Sequence, residues 1–540
     1  MNSTLKPALR DLVLACEIAG LLHDFGKLHP GFAREKLAGG GLQLDKDWTI
    51  NGINQGHGAI LEPDAPYPDV EERRNPVLDA LLNRLREDGA WAKVLALPEE
   101  FGVPASAQMM GLAGPLRQHH AGKHFPEAAL SFLGDLYLFG ADWRDSALDK
   151  GSGGSKGGEQ QASQAEIANT LGLRAAPYDT HTLAQAWQAA IEAANRILLK
   201  DDATQDLVAT RQALIAALEP VLRTALGETR RPTNDVSLWH HSRSAASHFK
   251  AAVAEGVLRG SFTHLIDTKG LFDFGRLGRV RFRLLGIRWD WAALTARALR
   301  PVTLFSLAQA RTEILDALRS LVEERLAIGN LIYADDDGAL VLVPGFFEGD
   351  DGAASEGLFR THVVEVLAAH TDILIARLGT GTAYRLAWSD AILYLTDYRE
   401  ALSRPQPERV LYRQAGVDEL RAQWAGAPGM GGQVQICPQC GLRPALAADQ
   451  EGSALDETRL CGECSAFGDK TRAGREAKAL RRDRALASFG IEPETFNLQE
   501  LCGLRGGGNR RAVLLSVQVD GDWIASGNAN ERTMQVQALV

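Results

Sequence analysis

Leu21-Leu22-His23-Asp24-Phe25-Gly26-Lys27 is the stretch on which the fold of this chain turns. It closes a run over residues 8–28 in which Leu9, Leu12, Val13, Cys16, Ala19 and Leu22 fall at helical spacing and share one broad apolar face. A His and an Asp side by side at the end of such a helix can both turn toward one metal ion. The imidazole offers a neutral nitrogen, and the carboxylate offers charge and can bridge two ions. The bare dipeptide also suits an ordinary helix end with a capping His, so the rest of the chain has to decide between the two.

Three further groups follow in order: His57 in Gly-His-Gly, the pair His119-His120, and Asp142 in Gly-Ala-Asp-Trp. The form Leu-Leu-His-Asp-Phe-Gly-Lys resembles the central motif of HD phosphohydrolases, with Gly26 closing the helix and Lys27 placed to meet a phosphate. The order of HD pair, single His, His pair and Asp resembles the two-metal HD nucleases of CRISPR systems. An ordinary HD domain begins with a helix carrying a first His ligand, yet only 22 residues precede His23. A stretch of that kind comes later, Asp235-Val-Ser-Leu-Trp-His-His-Ser-Arg-Ser-Ala-Ala246. A circular permutation would bring His241-Ser242 back beside His23. The large subunit of type III CRISPR effector complexes has an HD domain permuted in this way. That resemblance implies a core metal set of His23, Asp24, Asp142 and His241, with His57, His119 and His120 holding or neighbouring a second ion. Catalytic roles fall to His23, Asp24 and Lys27, with Mn²⁺ or Ni²⁺ as the metal. His240 stands where the family usually has Asp, and it leaves the choice between His240 and His241 open. His29, His124 and His248 read as ordinary histidines.

The bulk numbers are those of a water-soluble multidomain protein. The chain has 540 residues, beyond the size of a single core, with 45% hydrophobic and 23% charged residues. A net charge of -10 excludes whole-surface attraction to nucleic acid and leaves any such binding to local basic patches. No apolar run reaches the roughly 18 residues of a membrane span. The N-terminus lacks the pattern of a signal peptide, so the expected location is the cytoplasm. Six cysteines are few for this length. Four form Cys437-Pro-Gln-Cys440 and Cys461-Gly-Glu-Cys464, two knuckles that together complete a closed, structural tetrahedral Zn²⁺ site.

Outward from the HD motif, helical texture runs to about residue 148, and a Gly/Ser-rich insert occupies 151–166. Helical texture resumes over 162–225. The expected organisation begins with a permuted all-α HD domain over 1–255. Over 256–425 the pattern shifts to strands at 279–287, 331–334, 339–344 and 383–388 with helices at 305–326 and 356–376, the texture of a ferredoxin-like palm. Its hairpin resembles that of the family's first palm, and its tip, Asp335-Asp336-Asp337, is either a weak nucleotide and Mg²⁺ site or a solvated turn. Residues 426–508 hold the zinc ribbon and a basic segment whose Arg475, Lys478, Arg481 and Arg482 suit either a phosphate-contacting face or a solvated helix. Residues 509–540 resemble the start of a second palm, with Asp520 and Asp522 at its metal position, but Gly-Gly-Asp-Asp is absent from the sequence.

The resemblance implies a large-subunit component of an RNA-guided antiviral effector that cuts single-stranded DNA. Its partners would be other CRISPR effector subunits, guide RNA and target RNA, and possibly a separate chain carrying the second palm, as for a truncated or split gene. On that reading this chain alone does not make cyclic oligoadenylate. The alternatives are a non-catalytic scaffold subunit of the same complex and a stand-alone HD nucleotide phosphohydrolase.

Overall fold

The computed structural model describes residues 5–29, 89–107, 131–149, 166–168, 175–177, 180–227, 236–296, 301–349, 352–379, 381–393 and 407–418, with a few short pieces at 49–81 and 422–434. It is a helical half joined to a half built on a five-stranded antiparallel sheet.

Helix α1 spans Pro7–Leu22, with Pro where the missing N–H costs nothing. Every residue from Leu12 to Leu22 is buried, so the helix lies inside the protein rather than on its surface. Short helices α2 (Phe132–Tyr137) and α3 (Trp143–Asp149) are joined by a π-turn at Leu138–Asp142. Helices α4 (Thr180–Leu198) and α5 (Leu207–Leu222) pack as a pair. Helix α6, Leu238–Arg259, runs through the centre. Its start is fixed by the Ser237 hydroxyl, which accepts from the His240 N–H, and its end by Gly260 at φ 68°.

Helices α1 and α6 touch closely. A Cβ placed on Gly20 would lie 2.9 Å from the Ala246 Cα, so only glycine lets the two backbones meet.

In the second half, β1 (Phe282–Trp289) is the central strand. Helix α7 (Pro301–Ser320) leads into the hairpin of β2 (Asn330–Asp335) and β3 (Gly338–Pro344). Helices α8 (Gly352–Phe359) and α9 (Glu365–Ile375) then precede β4 (Ala383–Trp388) and β5 (Val410–Gln414). The strand order is β2-β3-β1-β4-β5. Period-two alternation sends the two faces of β1 to different cores. Leu285, Ile287 and Trp289 join Ile314, Leu318 and Leu367 beneath α7 and α9, while Phe282 and Leu284 join Phe249 and Val253 of α6. The sheet is thereby bolted to the helical half.

Two features correct the sequence expectation. The region 1–255 is not all-α, because residues 49–50 pair with 53–54 and 166–168 pair with 175–177 as short antiparallel ladders. The second lies where an Ala- and Leu-rich composition suggested helix, but Gly172 and Pro177 lower helix propensity across that window. The sheet also has a fifth strand, β5, which the sequence pattern did not suggest. Among the described residues no helix is long and apolar enough to cross a membrane.

The α1–α6 contact makes a direct prediction. Gly20→Ala should destabilise the protein by about 1–3 kcal/mol, the usual cost of overpacking a filled core. Guanidinium unfolding monitored by circular dichroism measures it, and an unchanged midpoint would show that the helices can part without cost.

Candidate metal centre

Four of the sequence-predicted residues meet at one point. His23 and Asp24 follow the last turn of α1, Asp142 ends the π-turn, and His241 lies in the first turn of α6. The His23 Nε2 is 3.2 Å from Asp24 Oδ2 and 3.6 Å from Asp142 Oδ1. The His241 Nε2 is 3.0 Å and 3.4 Å from the same two oxygens. Donors about 2.1 Å from a shared ion at tetrahedral or octahedral angles stand roughly 3.0–3.4 Å apart. His23, Asp142 and His241 are therefore close to the spacing of ligands of one ion, with Asp24 Oδ2 beside both imidazoles. Among the described residues, His23, Asp142 and His241 are the group whose donor atoms cluster in this way.

The tautomers are set by the other ring nitrogens. The His23 Nδ1 is 2.8 Å from the Gly20 carbonyl, and the His241 Nδ1 is 2.7 Å from Asp145 Oδ2. Each Nδ1–H has an acceptor, which leaves both Nε2 lone pairs facing the centre. The π-turn matters here. It adds a residue to the helical repeat and presents Asp142 and Asp145 to the same neighbour, His241.

The charge balance fits a divalent cation. Asp24, Asp142 and Asp145 bring three carboxylates together, and the Lys27 ammonium lies 2.5 Å from Asp24 Oδ2. A divalent ion would offset part of that negative charge. Without the ion, protons do part of that work. Burial pushes the His23 pKa down, but Asp24 and Asp142 outweigh it and hold it above the ordinary range. Burial likewise pushes Asp142 up, and the hydrogen bonds from His23 and His241 more than reverse this, holding it well below the carboxylate range. Tyr137 adds a further sign of fit. Its ring meets His23 edge-on at 5.2 Å, and its buried hydroxyl has no hydrogen-bond partner among the described residues. Burial and then the charges of Asp142, Asp24 and Asp145 hold that hydroxyl well above its usual pKa.

No protein family and no curated protein matches the chain. Solved structures similar to it include the Csm1-Csm4 cassette in complex with one ATP, at 13% identity and a TM-score of 0.38, covering 74% of this chain and 48% of that one. The apo Csm1-Csm4 cassette is similar at 13% identity and a TM-score of 0.35, covering 74% of this chain and 47% of that one. Csm1 in T.onnurineus is similar at 12% identity and a TM-score of 0.32, covering 70% of this chain and 45% of that one. The chain spans about half the length of the structures it resembles.

The remaining sequence candidates fall in different places. Lys27 turns back onto Asp24 and donates to the Gly227 carbonyl at 3.0 Å. His240 faces away from the centre, its Nδ1 3.1 Å from the Ser237 hydroxyl, so the structure puts His241 at the site and not His240. The hairpin carboxylates point to arginines: Asp335 takes both bonds from Arg288 at 2.8 and 2.9 Å, and Asp336 pairs with Arg311. Asp337 accepts from the Trp291 N–H at 3.1 Å. His57, His119, His120, the four cysteines of the expected zinc site, and Arg475, Lys478, Arg481 and Arg482 lie outside the described residues. Sequence reasoning missed Asp145 and Tyr137. The signal for Asp145 was its i+3 spacing from Asp142, one helical turn along.

Asp145→Asn keeps the shape of the side chain but removes the charge that orients His241. Metal affinity should fall about 10–100-fold, as for other partners of ligating histidines. Isothermal titration with Mn²⁺ checks this, and wild-type affinity would refute the role.

Proposed function

We propose that this chain is the HD-bearing large-subunit component of a type III CRISPR RNA-guided effector, and that its HD centre cleaves single-stranded DNA with a divalent transition metal. The observation that carries the reading is the convergence of His23, Asp24, Asp142 and His241 from separated parts of the chain. A helix near residue 240 completes a site begun near residue 23, which is the order expected of a permuted HD domain. The sheet domain immediately downstream agrees with that order. A free-standing nucleotide hydrolase has no need of it.

His23, His241, Asp24 and Asp142 would hold the ion. A bound divalent ion supplies Lewis-acid activation of a phosphodiester oxygen and of a hydrolytic water. The chain's own residues do the rest. The Gly20 carbonyl and Asp145 hold the Nδ1 sides of the imidazoles and so aim their Nε2 atoms at the centre. The Lys27 ammonium, beside Asp24 Oδ2 at the edge of the centre, is proposed to meet an incoming phosphate. His57, His119 and His120 are proposed to serve a second ion. Cys437, Cys440, Cys461 and Cys464 are proposed to hold a structural Zn²⁺, and the basic segment at Arg475, Lys478, Arg481 and Arg482 to contact RNA. Other effector subunits, guide RNA and target RNA are the proposed partners.

Purified chain assembled with guide and target RNA should cut single-stranded DNA in Mn²⁺ or Ni²⁺, and His23→Ala should reduce cutting to background. Tight Mn²⁺ binding with no cutting would favour the scaffold reading. The zinc assignment has its own test. Elemental analysis should give one zinc per wild-type chain and none for a Cys437→Ser, Cys464→Ser variant. Retained zinc would show the ligands lie elsewhere.

A further inference from the structure

A second polar cluster lies at the junction of the two halves, away from the metal centre. Glu17 of α1 is fully buried. Its Oε2 accepts from Arg211 Nε at 2.6 Å and Lys250 Nζ at 2.7 Å, and its Oε1 from Arg243 Nη1 at 2.6 Å and Asn330 Nδ2 at 2.9 Å. Glu323 completes the other side, accepting from Arg211 Nη2 at 2.7 Å and Arg243 Nη2 at 3.1 Å. Its second oxygen accepts from the Leu331 N–H at 3.0 Å. Lys250 also donates to the Glu323 carbonyl at 2.5 Å and to Asn330 Oδ1 at 3.0 Å. Asn330 Nδ2 donates to the Ser247 hydroxyl at 2.8 Å.

The elements that meet here explain why the cluster matters. Glu17 comes from α1, Arg211 from α5, and Arg243, Ser247 and Lys250 from α6. Glu323 and Asn330 come from the sheet half, on the π-turn Leu321–Arg325 and at the start of β2. α1 and α6 are also the helices that carry His23 and His241. Glu17 precedes His23 by six residues, about 9 Å along a helix axis, and Arg243 follows His241 by two. A buried ionic cluster adds little net stability over apolar side chains of equal volume. It does impose direction. Apolar contacts between α1 and α6 tolerate sliding, whereas these bonds hold for one arrangement. Metal ligation tolerates displacements of only about 0.5 Å before the constellation loosens.

We propose that the Glu17 cluster is a positioning device through which residues of the sheet half, Asn330 and Glu323, fix the separation of α1 and α6 and so set the geometry of the metal site. Asn330 and Glu323 are positioning residues, since the described contacts place neither at the metal centre. The inference rests on the metal-site reading given above.

The test uses the full chain and Co²⁺, whose visible absorption reports ligand geometry. The part of the spectrum lost in His241→Ala is the site's own band. In Asn330→Leu, which keeps the branched heavy-atom skeleton but removes both polar atoms, that band should shift and Co²⁺ affinity should fall about tenfold or more while the chain still melts cooperatively. A band and affinity identical to wild type, whatever the melting temperature, would overturn the positioning role. A wild-type spectrum with no His241-dependent band would instead bring down the metal-site reading itself, and the positioning proposal with it. If Asn330→Leu loses its cooperative melt, Ser247→Ala removes only the hydroxyl that holds Asn330, and the same two outcomes decide the matter.

Discussion

The approach of α1 to α6 at Gly20 and Ala246 is the constraint on which the rest of the site depends. With a side chain at residue 20 the two backbones would have to separate, and the rings of His23 and His241, now 5.3 Å apart between centroids, would separate with them. Gly20 acts twice in this. It lets the helices close, and its carbonyl accepts from the His23 Nδ1 three residues later. Packing and tautomer choice are therefore set by one residue in the last turn of α1.

That closeness has an electrostatic consequence. Asp24, Asp142 and Asp145 are each more than nine-tenths buried. Carboxylates out of water at such density need compensation of several kcal/mol apiece. Lys27 and the imidazoles supply part of it, and a divalent ion would supply more. The same logic governs the Glu17 cluster, but with a different outcome. There the cations Arg211, Arg243 and Lys250 balance the carboxylates Glu17, Glu323 and Glu324 inside the protein. One cluster is closed by the chain's own charges. The other gathers imidazoles and carboxylates whose donor atoms face one another, and among the described residues it is the group with the character of a ligand site.

The legibility of these features followed how local their signals are. His23 and Asp24 stand in one short motif and were readable at once. His241 was readable only as one of a pair, and helix phase decides it: Leu238, His241, Ala245 and Phe249 share the buried face, and His240 is turned off it. That phase follows from the cap at Ser237, so the sequence held the answer. The main strands were likewise legible from alternation. Strand β5 was not, because Val410-Leu-Tyr-Arg-Gln414 is short and only partly buried, and its strand state comes from pairing with β4. Glu17 is the clearest omission. A carboxylate inside an otherwise apolar helical run must find partners, and those partners lie 194 to 313 residues away. Spacing within a motif cannot reveal them.

The two ends of β2 show how position, rather than residue type, gives a charge its role. Asn330 at one end is buried in the Glu17 cluster. Asp335, Asp336 and Asp337 at the other end are held by Arg288, Arg311 and the Trp291 backbone in contact with solvent. Exposed pairs of that kind contribute about 0–1 kcal/mol each and are screened by salt, so the hairpin tip can exchange partners at small cost. The buried end cannot, because losing one member leaves another charge without compensation inside the protein. Between the two ends, Ile332 and Tyr333 are 45% and 53% exposed. Strand β2 is thus anchored at the end nearest the metal helices and adaptable at the end that meets solvent. Asn330 is the residue at which β2 enters the Glu17 cluster, bonded to Glu17 of α1 and to Ser247 and Lys250 of α6.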